Sequence, residues 1–177
     1  MDGVLVNFHK HACPLFGIAY PKNSVLGWNW LFERAGVGID EFLSRVDSTA
    51  GFWEGLDAFP WTSDLMQVLD VVNPDWGIMT AGTHDPRSWA GKAAWVSRHL
   101  QASGLYRLVV MHGQKGKIGG CGDVLIDDSY DQCVAWNHAG GKAFHWVEYS
   151  EDLSGPAMEQ VGRLKMLITQ WSGSEGG

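Results

Sequence analysis

Asp123-Val-Leu-Ile-Asp-Asp-Ser-Tyr-Asp131 decides how the rest of the chain is read. Val124, Leu125 and Ile126 form a short apolar run, enough for a strand buried on both faces of a parallel sheet. The run ends on adjacent carboxylates, Asp127 and Asp128. Ligands in open α/β sheets collect beyond the carboxyl ends of the strands. Two carboxylates there make a hard, oxygen-rich site of the kind Mg²⁺ takes, with water completing its shell. The plainer alternative is a strand followed by an Asp-rich turn.

Working outward, strand and helix signals alternate. Thr62 or Ser63 can cap a helix that carries Leu65, Leu69 and Val72 on one face. Asn73-Pro74 stops it. Trp76–Met79 is a short strand that ends at Thr80-Ala81-Gly82-Thr83. Asp85 and Pro86 then open a helix whose apolar stripe is Trp89, Ala93, Val96 and Leu100, with Lys92 off the stripe's centre. Residues 106–111 form the next strand, followed by a Gly- and Lys-rich loop with Lys115 and Lys117, both read as solvated or, alternatively, as reaching an anion. After the 123–131 stretch come a short helix over 131–138, a turn at Gly140-Gly141 and a strand over 143–147. A last helix starts at Ser154 and Pro156 and carries Val161, Leu164, Ile168 and Trp171. This alternation predicts an α/β fold with a mostly parallel sheet in a three-layer sandwich.

Upstream, residues 9–61 lack sheet signals. Helices are expected near 24–35 and 39–47, beside an aromatic cluster with Phe52, Trp53, Phe59 and Trp61. This stretch reads as a small helical cap on a core made of residues 1–8 and 62–171, with 172–177 as a flexible tail. Ten Trp residues are explained chiefly by core and cap packing; lining a pocket for a flat ligand is the second reading.

Composition narrows the function. A length of 177 residues suits one domain. A net charge of −7 argues against a nucleic-acid polymer as partner, yet leaves room for a small phosphorylated ligand. Cys13, Cys121 and Cys133 are widely spaced and odd in number, which reads as reduced thiols in the cytoplasm. No apolar run approaches the ~18 residues of a membrane span, so no membrane partner is expected. His9 and His11 alternate as in an extended segment, and no His spacing suits zinc.

Several motifs together resemble the haloacid-dehalogenase-like phosphatases, within them the 5′(3′)-deoxyribonucleotidase branch. They are Asp2-Gly-Val-Leu-Val-Asn-Phe8, Phe52-Trp53 with Leu56, Ile78-Met-Thr80-Ala81, Lys92-Ala-Ala-Trp95-Val96, Lys115 or Lys117, Asp123–Asp128, and Trp136 before Gly140-Gly141. The resemblance implies a Rossmann-like core and a Mg²⁺-dependent phosphohydrolase that acts on nucleoside, most simply deoxynucleoside, 5′-monophosphates through an aspartyl-phosphate. It implies Asp2 as general acid and base and, through its carbonyl, a metal ligand. Thr80 and Lys92 match the phosphate-holding hydroxyl and the charge-neutralising lysine. Asp127 and Asp128 match the metal carboxylates. Ala81 and His84 fall beside the phosphate, and Phe52 and Trp53 are candidates to stack on the base. A homodimer is compatible with the resemblance.

The family motif reads Asp-x-Asp-Gly, and here x is Met1. The attacking Asp, and the central strand that leads to it, would therefore precede residue 1. Two expectations follow: an enzyme whose chain starts upstream, or an inactive nucleotide-binding or scaffold protein of the same fold.

Overall fold

The computed structural model describes residues 1–100 and 108–173. Residues 106–107 of the expected third strand and 174–177 of the expected tail lie outside them. In chain order the elements are α1 (Phe8–Ala12), β1 (Val25–Leu26), α2 (Trp28–Ala35), α3 (Ile39–Ser48), α4 (Thr62–Val72), β2 (Ile78–Ala81), α5 (Pro86–His99), β3 (Leu108–Met111), β4 (Val124–Asp127), α6 (Tyr130–His138), β5 (Lys142–His145), β6 (Glu148–Tyr149) and α7 (Ser154–Gly173). Short 3₁₀ turns occupy Cys13–Phe16, Lys115–Lys117 and Glu151–Leu153.

The first residues fold back on themselves. The Met1 carbonyl accepts from the amide of Leu5 at 2.8 Å and from those of Val4 and Val6 at 3.3 Å. Gly3 sits at φ +69°, where a side chain would be strained. The loop is pinned to residues 57–62: Asn7 N donates to Asp57 O at 2.9 Å, Phe59 N to Leu5 O at 3.0 Å, and Thr62 Oγ1 to Leu5 O at 2.6 Å. This loop leads into α1, so His9 and His11 lie on a short helix rather than in an extended segment. Asn7 caps it by accepting from Lys10 N at 3.0 Å.

The architecture is mixed α/β. One mostly parallel sheet was expected, and the strands instead form pairs. β2 and β3 are parallel, with Ile78 opposite Leu108 and Ala81 opposite Met111. β4 and β5 are parallel, with Val124 opposite Lys142 and Asp127 opposite His145. β1 and β6 form a two-residue antiparallel ribbon that ties the cap stretch to the end of the core. Among the described residues no strand bridges β2 and β4; a cleft separates the two parallel pairs. On one side of it α4 and α7 pack against each other, burying Leu65, Val161 and Leu164.

Within 9–61, helices α2 and α3 fall in the stretches with helical patterning. Their core is aromatic. Phe42 is stacked on Phe16 at 4.6 Å between ring centroids, and Phe8 contacts Phe42, Phe52 and Trp53.

The α5 stripe differs from the sequence reading. Asp85 caps the helix as expected, accepting from Arg87 N at 2.8 Å. The buried face is Ser88, Gly91, Lys92, Trp95 and Val96, so Lys92 lies at its centre. Trp89 is 41% exposed and donates its indole N–H to Thr83 O at 2.7 Å. The cause is Gly91. A Cβ there would lie 2.5 Å from Trp53 Cβ and 3.2 Å from Glu54 N, so its lack of a side chain lets the helix lie against that turn.

A second glycine device holds the Lys115 loop. The Trp136 indole fits against Gly119 on one side and Gly141 on the other, and a Cβ at either would collide with the ring. Gly116 presses on the Ala135 carbonyl in the same way, at 2.6 Å from a would-be Cβ. Among the described residues no helix is long and apolar enough to cross a membrane.

Phe42 is fully buried at the junction of α3, Phe16 and Phe8. Phe42→Ala is expected to lower the unfolding free energy by about 3–5 kcal/mol, the usual cost of emptying an aromatic core site. Urea denaturation of both proteins measures it.

Candidate active site

β2 delivers Thr80 and Ala81, α5 delivers Lys92, and the opening loop delivers Asp2. All four meet at one point. The Lys92 ammonium donates to an Asp2 carboxylate oxygen, to the Ala81 carbonyl and, at 3.2 Å, to Thr80 Oγ1. Lys92 is 1% exposed and its Nζ stands 4.6 Å from the centre of the Trp53 ring. A buried ammonium needs such partners, because its desolvation is otherwise far too costly. The other Asp2 oxygen, Oδ1, is buried without a hydrogen-bond partner among the described residues.

The second half of the site is at the end of β4. Asp127 is 3% exposed. One of its oxygens is paired with the Lys115 ammonium, and Oδ1 accepts from Ser129 N at 2.9 Å. Lys115 is therefore not solvated: it is 5% exposed, and its backbone N–H donates to Gln132 Oε1 at 2.8 Å. Lys117, two residues on, is exposed. Periodicity cannot separate two lysines in a glycine-rich loop; the Trp136 socket turns only one inward.

Asp128 points back to the opening loop. A Cβ built on Gly3 would lie 2.5 Å from Asp128 Oδ2 and 2.9 Å from Glu148 Oε2. Glu148 and His9 are the site residues that sequence reasoning missed. His9 Nδ1 is 2.7 Å from Glu148 Oε1, and both side chains are buried. The other ring nitrogen, Nε2, lies 3.2 Å from Gly27 O. With an acceptor at each nitrogen, the doubly protonated ring satisfies both. No motif marks either residue; only the β1–β6 pairing brings Glu148 under α1.

The remaining candidates sit at the edges. His84 is exposed, its ring 4.2 Å from that of His112. Phe52 and Trp53 are buried in the cap core, and Trp53 donates its indole N–H to Asp47 at 2.8 Å. Their faces are already covered by Phe8 and by each other, and Trp53 also carries Lys92.

The carboxylates here are crowded. Burial, followed by repulsion from Glu148 and Asp127, pushes Asp128 up from 3.8 to about 7. Burial pulls His9 down, but the hydrogen bond and charge of Glu148 outweigh it and hold the ring above 6.5. An oxygen-rich site with an orphaned carboxylate oxygen fits a hard cation, which uses one or two carboxylates plus water. Among the described residues no group of three or more His, Cys, Asp or Glu side chains is arranged to hold a metal ion.

No protein-family model matches the chain, and no curated protein matches it. The family resemblance rests on the motifs quoted above.

Both shifted groups bind protons more tightly folded than unfolded, so stability falls as pH rises. Asp128 contributes the loss between about pH 4 and 7. His9 contributes stability that is complete below 6.5 and lost as pH rises through its raised folded value. Unfolding free energies measured in chelator from pH 5 to 8 should decline. Asp128→Asn should flatten the lower part of that curve and His9→Gln the upper part.

Proposed function

We propose that the chain is a Mg²⁺-dependent phosphohydrolase of the haloacid-dehalogenase-like type that acts on nucleoside 5′-monophosphates, deoxynucleotides foremost, in the cytoplasm. The observation that carries this is the meeting of Asp2, Thr80, the Ala81 carbonyl and buried Lys92 at the end of β2, with Gly3, the residue after Asp2, against the Asp128 carboxylate.

On this reading Thr80 Oγ1 and the Lys92 ammonium bind the phosphoryl oxygens, and Lys92 offsets the charge that grows there. Asp2 protonates the leaving sugar oxygen and afterwards takes a proton from water. Lys92 sits against Asp2 and keeps it oriented. Asp128 and Asp2 would hold Mg²⁺, with Asp127 fixed behind them by Lys115. The bound cation supplies further charge neutralisation at the phosphoryl group. The resemblance puts the carboxylate that attacks phosphorus two positions ahead of Asp2. His84, at the exposed rim with His112, is placed to meet an anion when protonated.

The second reading, a catalytically inactive nucleotide-binding or scaffold protein, is favoured by one observation. Two of the carboxylates, Asp2 and Asp127, are already neutralised by lysines.

Phosphate release from a panel of nucleoside monophosphates, with Mg²⁺ and with chelator, separates the two. The 177-residue polypeptide is expected to bind monophosphate and turn it over slowly. Placing Asp directly before Met1 should raise the rate by about 10⁴–10⁶, the usual worth of a catalytic nucleophile. Thr80→Val in that background should lower it by about 10²–10³. Binding without release from either polypeptide would leave the scaffold reading standing.

A further inference from the structure

The chain turns from β2 into α5 at the peptide that joins Ala81 to Gly82. The carbonyl of that peptide accepts from the Lys92 ammonium. Its N–H donates to Met111 O, on β3, at 2.9 Å. A planar trans peptide points these two groups in opposite directions, so fixing one fixes the other. The next residues are held as closely, and from α5. Trp89 donates its indole N–H to Thr83 O at 2.7 Å. Ser88 Oγ accepts from Thr83 N at 3.0 Å and from Thr83 Oγ1 at 3.1 Å, and donates to Asp85 O at 3.0 Å. Thr83 Oγ1 in turn accepts from Asp85 N at 3.1 Å.

This is more than the start of a helix needs. Asp85 already caps α5 by accepting from Arg87 N. Ser88 and Trp89 reach past that cap to the loop. Ser88 is fully buried and spends its hydroxyl there. Trp89 is largely exposed for an indole, so apolar burial does not account for where its ring lies. The ring lies against Gly82, where a Cβ would stand 2.3 Å from the indole nitrogen and 2.5 Å from Cδ1. Gly82 is not among the glycines at positive φ, so the backbone does not call for glycine here; the indole does. Trp89 and Lys92, three residues apart on α5, thus take the Thr83 and Ala81 carbonyls, two residues apart on the loop.

We infer that Ser88 and Trp89 are positioning residues for the phosphate side of the site. Neither side chain is aimed at the phosphoryl position; each is spent on the loop. Through Gly82 and Thr83 they set the Ala81 carbonyl, and through that carbonyl the direction of the Lys92 ammonium beside Thr80. Without them the ammonium keeps Asp2 and Thr80 but loses the third point that orients it. The segment 82–85 is a preorganised wall of the site rather than a flap that closes over substrate. The inference rests on the phosphohydrolase reading for what the site binds; the clamp on the loop does not.

The test uses the 177-residue chain and its variants Ser88→Ala, Trp89→Phe, Trp89→Ala, Gly82→Ala and the Gly82→Ala/Trp89→Ala pair. Amide hydrogen exchange without ligand reads the clamp. Titration with deoxyadenosine 5′-monophosphate and Mg²⁺, followed by calorimetry and by the NMR resonance of the Trp89 indole N–H, reads the positioning. Ser88→Ala, Trp89→Phe and Gly82→Ala should each speed exchange of the Gly82 and Thr83 amides by about tenfold. Each should also weaken monophosphate binding by about tenfold. Adding Gly82→Ala to Trp89→Ala should cost nothing more, because the ring that the new Cβ would strike is gone. In the wild type the indole resonance should shift as monophosphate binds, which a side chain that only supports the fold would not show. Wild-type affinity in both Ser88→Ala and Trp89→Phe, or losses that simply add in the double variant, would overturn the inference and leave the phosphohydrolase reading intact. No monophosphate binding by the wild type would overturn that reading, and the positioning role with it, whatever the exchange rates.

Discussion

A single buried ammonium organises the molecule. Lys92 could have reached solvent, as most lysines do, but the flat contact of α5 on residues 53–54 forces its side chain inward. Once inside, it must be solvated by protein. The groups that do so come from three places: the opening loop through Asp2, β2 through Thr80 and Ala81, and the cap through the Trp53 ring. Removing Asp2 leaves the ammonium without its counter-charge in a buried surrounding, a cost of several kcal/mol. Asp2 could not be offered there unless residues 1–6 coiled tightly, which explains the positive φ at Gly3 and the three amides gathered on the Met1 carbonyl.

The Asp127–Lys115 pair repeats the arrangement at the end of β4. The site thus alternates sign across a short distance: Lys92 with Asp2, Lys115 with Asp127, His9 with Glu148. Asp128 is in no ion pair among the described residues, and burial first, then repulsion from Glu148 and Asp127, holds its proton tightly. An arrangement in which every carboxylate but one is matched is suited to receiving a charged guest, since the unmatched group is where added positive charge gains most.

The elements with strong local signals were legible in the sequence. The caps at Asp85, the turn at Gly140-Gly141 and the stripe on α7 follow from short-range chemistry that tertiary contacts did not override. The convergence of Asp2, Thr80 and Lys92 was legible only through the family resemblance, because nothing in their spacing encodes a meeting in space. Three features differ from the sequence reading for identifiable reasons. The α5 stripe was misjudged because an apolar count cannot see that Gly91 sets which face is pressed inward. Lys115 reads as solvated because a charge in a glycine-rich loop usually is, whereas the Trp136 contact that turns it inward spans the loop and two later elements. The parallel pairing expected from the alternation is present in two pairs, but among the described residues no strand joins β2 to β4 into one sheet. Glu148 and His9 carried no pattern at all; a buried ion pair between residues so far apart in the chain is a product of topology.

The Trp136 socket has a mechanical meaning. The ring is gripped by Gly119 from the lysine loop and by Gly141 from the turn into β5, so it acts as a pin through both. Neither segment can slide without moving the indole, and the indole is fixed by its own helix. A loop rich in glycine would ordinarily be the loosest part of such a fold. Here its rigidity is borrowed from a turn some twenty residues downstream, and the position of the Lys115 charge is set as firmly as if it lay on a helix.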